Sequence, residues 1–145
     1  MKMRKIENPC WKGAIKEILT QYPHAFTIKA IDDQPLDDSF EWWECVDRNE
    51  NVLGVIFYKY HIITDEFEIE IARNLKYADI KGVGTYMLEH IESEIFNKGG
   101  NTILSLVNKD NTEHDSVVSW FINRGYEVIK EQSKRAFTCL NKFKQ

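Results

Sequence analysis

The residues most able to do chemistry are Asp79-Ile80-Lys81-Gly82-Val83-Gly84-Thr85. A strand-like stretch, Glu66 to Arg73, leads towards them, and an amphipathic stretch, Val83 to Asn97, runs on from them. A short glycine-bearing turn between strand and helix aims several backbone N–H groups one way, and the helix dipole adds partial positive charge there. Gly82 and Gly84 carry no Cβ, so a ligand can approach the backbone closely. The chemistry this suits is phosphate binding, and a pyrophosphate is the expected ligand. Paired glycines also start helices that bind nothing. Two familiar nucleotide motifs are disfavoured: Met87 stands where the dinucleotide fingerprint needs its third glycine, and Lys81 precedes Gly82 where the Walker loop needs a lysine after a glycine.

Carboxylates are the second resource. Glu66, Glu68 and Glu70 alternate with Phe67, Ile69 and Ile71, which puts three carboxylates on one strand face. An ordinary solvated face has the same pattern. Asp32-Asp33-Gln34-Pro35-Leu36-Asp37-Asp38 is an acidic loop, either a solvated connection or a rim that attracts a cation. Metal chemistry is not expected. The three cysteines (Cys10, Cys45, Cys139) are odd in number and widely spaced, and the four histidines (His24, His61, His90, His114) share no ligand spacing. The cysteine pattern predicts a reducing, cytoplasmic setting.

The elements that must position these residues follow from periodicity. Met3 to Ile6 reads as a short strand. Asn8-Pro9 reads as a helix start, with Trp11, Ala14, Ile15, Ile18 and Leu19 at helical spacing and Tyr22-Pro23 as the stop. Phe26, Ile28 and Ala30-Ile31 alternate weakly, as a short strand or a second helix would. Phe40 to Val46, Val52 to Ile63 and Glu66 to Arg73 read as three antiparallel strands, the first two joined by a turn at residues 47–51. Val83 to Asn97 is a helix burying Val83, Met87, Leu88, Ile91 and Ile95, stopped by Gly99-Gly100. Thr102 to Val107 is a strand that must lie parallel to the one before that helix. A helix marked by Val117, Val118, Phe121 and Ile122 and ended by Gly125 follows, then a closing pair, Tyr126 to Ile129 and Ala136 to Leu140. This is a mixed α/β domain, expected to be single over residues 1–145.

Composition bounds the partners. With 145 residues, 43% hydrophobic and 29% charged, the chain suits one soluble core. A net charge of −4 argues against a nucleic-acid surface. No run of about 18 apolar residues suits a membrane span. The basic start, Met1 to Ile6, is followed by no apolar stretch, so no secretory signal is expected.

The element order and two motifs resemble the GNAT superfamily of acetyl-CoA-dependent N-acetyltransferases. Asp79 to Gly84 is similar to that family's Arg/Gln-x-x-Gly-x-Gly/Ala cofactor motif. Leu104-Ser105-Leu106-Val107, Asn111 and then Trp120 to Tyr126 are similar to its second motif, with about three extra residues between Asn111 and Gly125. The run Glu68 to His90 looks like the histone acetyltransferase branch. The resemblance implies a GNAT-like fold: a mostly antiparallel twisted sheet of six to seven strands with a β-α-β crossover that binds acetyl-CoA. It implies that Ala72, Arg73 and Asn74 meet the pantetheine arm, that Lys81, Gly82, Val83, Gly84 and Thr85 donate to the pyrophosphate, and that Asn111 joins the cofactor site. Glu68, eleven residues before Asp79, is the implied general base, with Glu70 as backup. Repulsion between the two would raise one pKa towards neutrality. Two positions depart from the pattern. Asp79 replaces the family's Arg or Gln, and Phe121 stands where many members carry a tyrosine acid. Tyr77, Tyr86 and Tyr126 are alternative acids, or packing.

The implied activity is direct acetyl transfer to a primary amine, a cationic one if the acidic residues 32–38, Glu41 and Glu44 act as a recruiting surface. A homodimer is a further implication. A non-catalytic module of the same fold is the rival.

Overall fold

The computed structural model describes residues 1–23, 25–26, 30–133 and 135–145. Seven strands form one sheet in the order β1-β2-β3-β4-β5-β7-β6. The strands are β1 Lys2–Lys5, β2 Glu41–Val46, β3 Val52–His61, β4 Glu66–Arg73, β5 Thr102–Asn108, β6 Glu127–Val128 and β7 Phe137–Phe143. The helices are α1 Gly13–Leu19, α2 Val83–Asn97 and α3 His114–Ile122. All pairings are antiparallel except β4 with β5, the pair joined through α2.

α2 forms where its apolar stripe predicts. Val83, Met87, Leu88, Ile91 and Ile95 are buried against the sheet. Its stop is a paired glycine cap: the Gly99 N–H donates to the Phe96 carbonyl (3.1 Å) and the Gly100 N–H to the Ile95 carbonyl (2.9 Å), with Gly99 at φ +94°. Gly54 on β3 lets the helix lie close. A Cβ there would meet Met87 Cε at 2.6 Å and the Ala72 carbonyl at 2.9 Å.

The sheet carries a core on each face. Under α2 and α3 lie Leu53, Ile56, Ile69, Ile103, Val107, Phe121, Tyr126 and Leu140. On the opposite face Ile15, Ile18 and Leu19 of α1 pack on Trp42, Val55, Phe57 and Ala72. Trp42 stacks on Phe57 with ring centroids 3.9 Å apart. The alternation of β4 therefore has no solvated side: Phe67, Ile69 and Ile71 face α2, and Glu68, Glu70 and Ala72 share the α1 face.

Four expectations are corrected. α1 begins at Gly13, because Asn8 adopts φ +51° and Cys10 bridges Pro35, so residues 8–12 are held by the 34–36 segment instead of starting a helix. Ile122 is 48% exposed, so α3 faces the core mainly through Phe121. The strand expected at Tyr126 to Ile129 shrinks to two residues, and β7 inserts between β5 and β6. Phe26, Ala30 and Ile31 belong to neither helix nor strand, and Ile28 of that expected element lies outside the described residues. Lys134, between the two strands of the closing pair, also lies outside them.

A cleft through the sheet

β4 and β5 run together for only three register pairs, Phe67 with Ile103, Glu68 with Leu104 and Ile69 with Ser105. Both strands then continue apart. Among the described residues the last four of β4, Glu70 to Arg73, have no strand partner on that side, and neither do Leu106 to Asn108 on the facing side of β5. Unpaired backbone N–H and C=O groups inside a protein demand a partner, and an extended amide-bearing chain could supply one from each edge.

The gap opens a cleft of about 330 Å³. Ile69 to Arg73 form one wall and Ser105 to Asn108 the other. Gly84 of α2, with Ser116, Val117, Trp120 and Phe121 of α3, closes it from one face of the sheet, and Tyr22, Ala25 and Phe26 from the other. The N-terminus of α2 adjoins it at Gly84. Gly82 takes φ +80°, and Tyr86 is the first helix residue to close on a carbonyl, that of Gly82 (2.9 Å). The N–H groups of Val83, Gly84 and Thr85 therefore precede the hydrogen-bonded ladder.

The cofactor-site residues expected from sequence fall into three groups. Ala72, Arg73, Gly84 and Asn111 line the cleft. Lys81, Gly82, Val83 and Thr85 surround the helix start without lining it: Lys81 is exposed, Val83 is core, and the Thr85 hydroxyl accepts from Arg124 Nε (3.0 Å) and Nη2 (2.7 Å). Asn74 is turned away. It is 3% exposed and fully engaged, accepting from Gln21 and the Lys76 N–H and donating to the Val52 carbonyl, and so pins the end of β4. Asp79 is exposed, and no side chain caps α2.

A second pocket, of about 410 Å³, opens on the α1 face. Leu36, Asp37, Phe40, Trp42, Lys59, Glu68 and Phe137 contribute to it. Glu70 and Leu106 line both it and the cleft, and so mark the passage between the two. Glu68 lines only the second pocket and is held by His61, 3.1 Å from its Nε2. Burial pushes the Glu70 carboxyl up to about 8 from an ordinary 4.5; the neighbouring Glu68 charge adds to this and Lys59 opposes it.

The alternative acids sit elsewhere. Tyr126 is buried, donates to Glu92 (2.8 Å) and has its pKa raised by burial and that carboxylate. Tyr86 donates to the Met1 carbonyl (3.0 Å), and Tyr77 packs against the α2-side core. None of the three lines the cleft. Phe121 does, and brings no hydroxyl.

Sequence reasoning passed over three residues: Tyr22, Trp120 and Lys59. Tyr22 donates to the Arg73 carbonyl (2.5 Å) at the end of the split strand. Trp120 packs on Gly84, where a Cβ would meet its ring at 3.2 Å, and stacks under Arg124 (4.1 Å to the ring centroid). The missing Cβ of Gly84 thus serves Trp120 as well as any ligand. Only Trp120 carried a signal, a large aromatic beside the Gly125-Tyr126 motif.

This architecture is found in solved structures. A spermidine N-acetyltransferase SpeG chimera from Vibrio cholerae and hSSAT superposes with a TM-score of 0.68 over 98% of this chain and 94% of that one, at 11% identity. A PaiA N-acetyltransferase from Thermoplasma acidophilum, solved in complex with coenzyme A, gives 0.61 at 16% identity, over 73% of this chain and 62% of that one, so this chain spans under two thirds of its length. The Campylobacter jejuni N-acetyltransferase PseH gives 0.56 at 21% identity, over 75% and 71%. No family model and no curated protein matches the sequence. The chain has the fold of the GNAT N-acetyltransferases. Its sheet has seven strands, mostly antiparallel, with the one parallel pair at the split.

Proposed function

We propose that this protein is an acetyl-CoA-dependent N-acetyltransferase that moves an acetyl group directly to a primary amine. The observation that carries the reading is the continuity of the split-sheet cleft with the second pocket at Glu70. The likeness to N-acetyltransferases, one of them holding coenzyme A, supports it.

The residues fit the co-substrate. The unpaired edges of Glu70–Arg73 and Leu106–Asn108 match the amides of a pantetheine arm, and the free N–H groups of Val83, Gly84 and Thr85 match a pyrophosphate. Lys81 supplies an exposed positive charge there, and Asn111 sits at the cleft wall. When bound, acetyl-CoA supplies the acyl group as a thioester. The new bond joins the amine nitrogen to the acyl carbon, the carbon–sulfur bond breaks, and the sulfur leaves with the electron pair. Glu70 takes the amine proton, because it faces both compartments; Glu68, placed first from the sequence, holds the second pocket's side and biases Glu70. The low dielectric that raises the Glu70 pKa also makes its carboxylate a competent base near neutral pH. Proximity of amine and thioester supplies much of the rest. Three unpaired cysteines accord with a cytoplasmic setting.

Calorimetric titration with acetyl-CoA tests the reading. Ser116 lines the cleft from an exposed position on α3, so Ser116→Trp blocks it without touching the core. Micromolar binding in the wild type, weakened at least tenfold in the variant, is expected. A wild type that binds no acetyl-CoA refutes the proposal.

A further inference from the structure

Three of the carboxylates that the sequence offered as a recruiting rim have cationic partners inside the chain. Asp32 meets Lys16 (2.9 Å), Glu41 meets Lys5 (3.1 Å) and Glu44 meets Arg4 (2.8 Å). Glu68 is held by His61, and the exposed Asp37 accepts from the Ser39 N–H (2.9 Å).

The one basic side chain of the described lining is Lys59, among the carboxyls of Asp37, Glu68 and Glu70. Lys59 extends from β3 with its ammonium 4.8 Å from the centroid of the Phe40 ring. Among the described residues no carboxylate lies within 4 Å of it. It stands opposite Glu68 in register and diagonal to Glu70, on the face these residues share. Both Lys59 and Glu70 line the pocket, so one small molecule there meets both. A second observation concerns Trp42, which lines the same pocket and is 2% exposed: among the described residues its indole N–H has no acceptor. A buried donor without a partner is costly. Leu36, Phe40, Leu106 and Phe137 give the pocket an apolar side, beside the polar Gln34 and Asp37.

The geometry points to an acceptor that carries its own carboxylate: an amino acid with an apolar side chain, its amine towards Glu70 and its carboxylate on Lys59. This rests on the acetyl-transfer reading. The balance is unchanged by it: the amine loses one proton to Glu70 and gains the acyl carbon, and the substrate carboxylate stays intact.

The test compares matched pairs that differ by that carboxylate, leucine with isoamylamine and phenylalanine with phenethylamine, with spermidine as the polycation. Thiol release from acetyl-CoA is followed, and kcat/KM is expressed per unprotonated amine. The amino acid should exceed its decarboxylated twin by at least about tenfold, the worth of one charge-assisted hydrogen bond. Lys59→Met should bring the ratio to about one, and Lys59→Arg should restore it. A supporting role for Lys59 over Phe40 would instead lower both twins alike and leave the ratio intact, which overturns the inference. Preference for spermidine or the bare amines overturns it too while leaving acetyl transfer standing, as does turnover of neither twin by a protein that binds acetyl-CoA. Failure to bind acetyl-CoA removes the parent reading instead.

Discussion

Replacing Glu70 by Gln keeps the shape of the side chain and removes its charge. Two effects of opposite sign follow. With a pKa of about 8, roughly one Glu70 in eleven is ionised at pH 7 and about ten in eleven at pH 9. The kcat of the wild type, measured at saturating amine, should therefore rise about tenfold between these values. Glu70→Gln should lose about 10²–10⁴ in kcat and lose the inflection near pH 8. Stability should move the other way. The folded state holds the Glu70 proton more tightly than the unfolded chain, so the stability this group contributes is fully present below pH 4.5 and is lost as pH rises through 8. The variant escapes that loss. After allowance for partial exposure, its advantage should be about 1–3 kcal/mol at pH 8 and close to nothing at pH 4. Thiol-release kinetics read the first effect and thermal unfolding at the two pH values reads the second. A variant with wild-type kcat and an unshifted profile would refute the assignment of the base. A stability difference independent of pH would refute the burial argument behind it.

Three further outcomes test the frame. Tyr126→Phe leaves Glu92 without its 2.8 Å donor and should cost about 1–2 kcal/mol in denaturant unfolding, with acetyl transfer per folded molecule unchanged. Gly54→Ala drives a Cβ onto Met87 and the Ala72 carbonyl, and since the carbonyl is backbone it should destabilise by about 1–3 kcal/mol, read as a lowered midpoint. Burial works to raise the Glu41 pKa, but hydrogen bonds from Tyr58, Trp43 and Lys5 and the Lys98 charge outweigh it and hold it at about 2. The stability it contributes is present above pH 4.5 and lost as pH falls towards 2, so Glu41→Gln should flatten the acid limb of a stability–pH curve.

Where one element's own pattern decides, the chain could be read to the residue. β4 and α2 have the boundaries their periodicities predict, because each buries a long apolar row against the sheet. The start of α1 could not be read, since Asn8 and Cys10 are fixed by a distant segment, residues 34–36. The position of β7 between β5 and β6 is a pairing over long sequence separation, which local signals do not carry. At the site, alternation placed Glu68 and Glu70 on one face, but which of them borders the cleft depends on where β5 leaves β4, two residues beyond Glu68. The acidic rim was legible as a run of carboxylates, but the partners of three of them, Lys5 and Arg4 of β1 and Lys16 of α1, come from other elements and were not.

The short β4–β5 pairing has a mechanical consequence. It leaves the sheet as two panels, β1 to β4 and β5 to β7, sewn together by three register pairs and by α2. A pantetheine arm laid along the open seam would complete the stitching, acting as an eighth strand that belongs to the ligand. Occupancy would then be felt as stiffness across the whole sheet: amide hydrogen exchange should slow in β5 and β7, on the panel opposite Glu70, as well as at the residues the ligand touches.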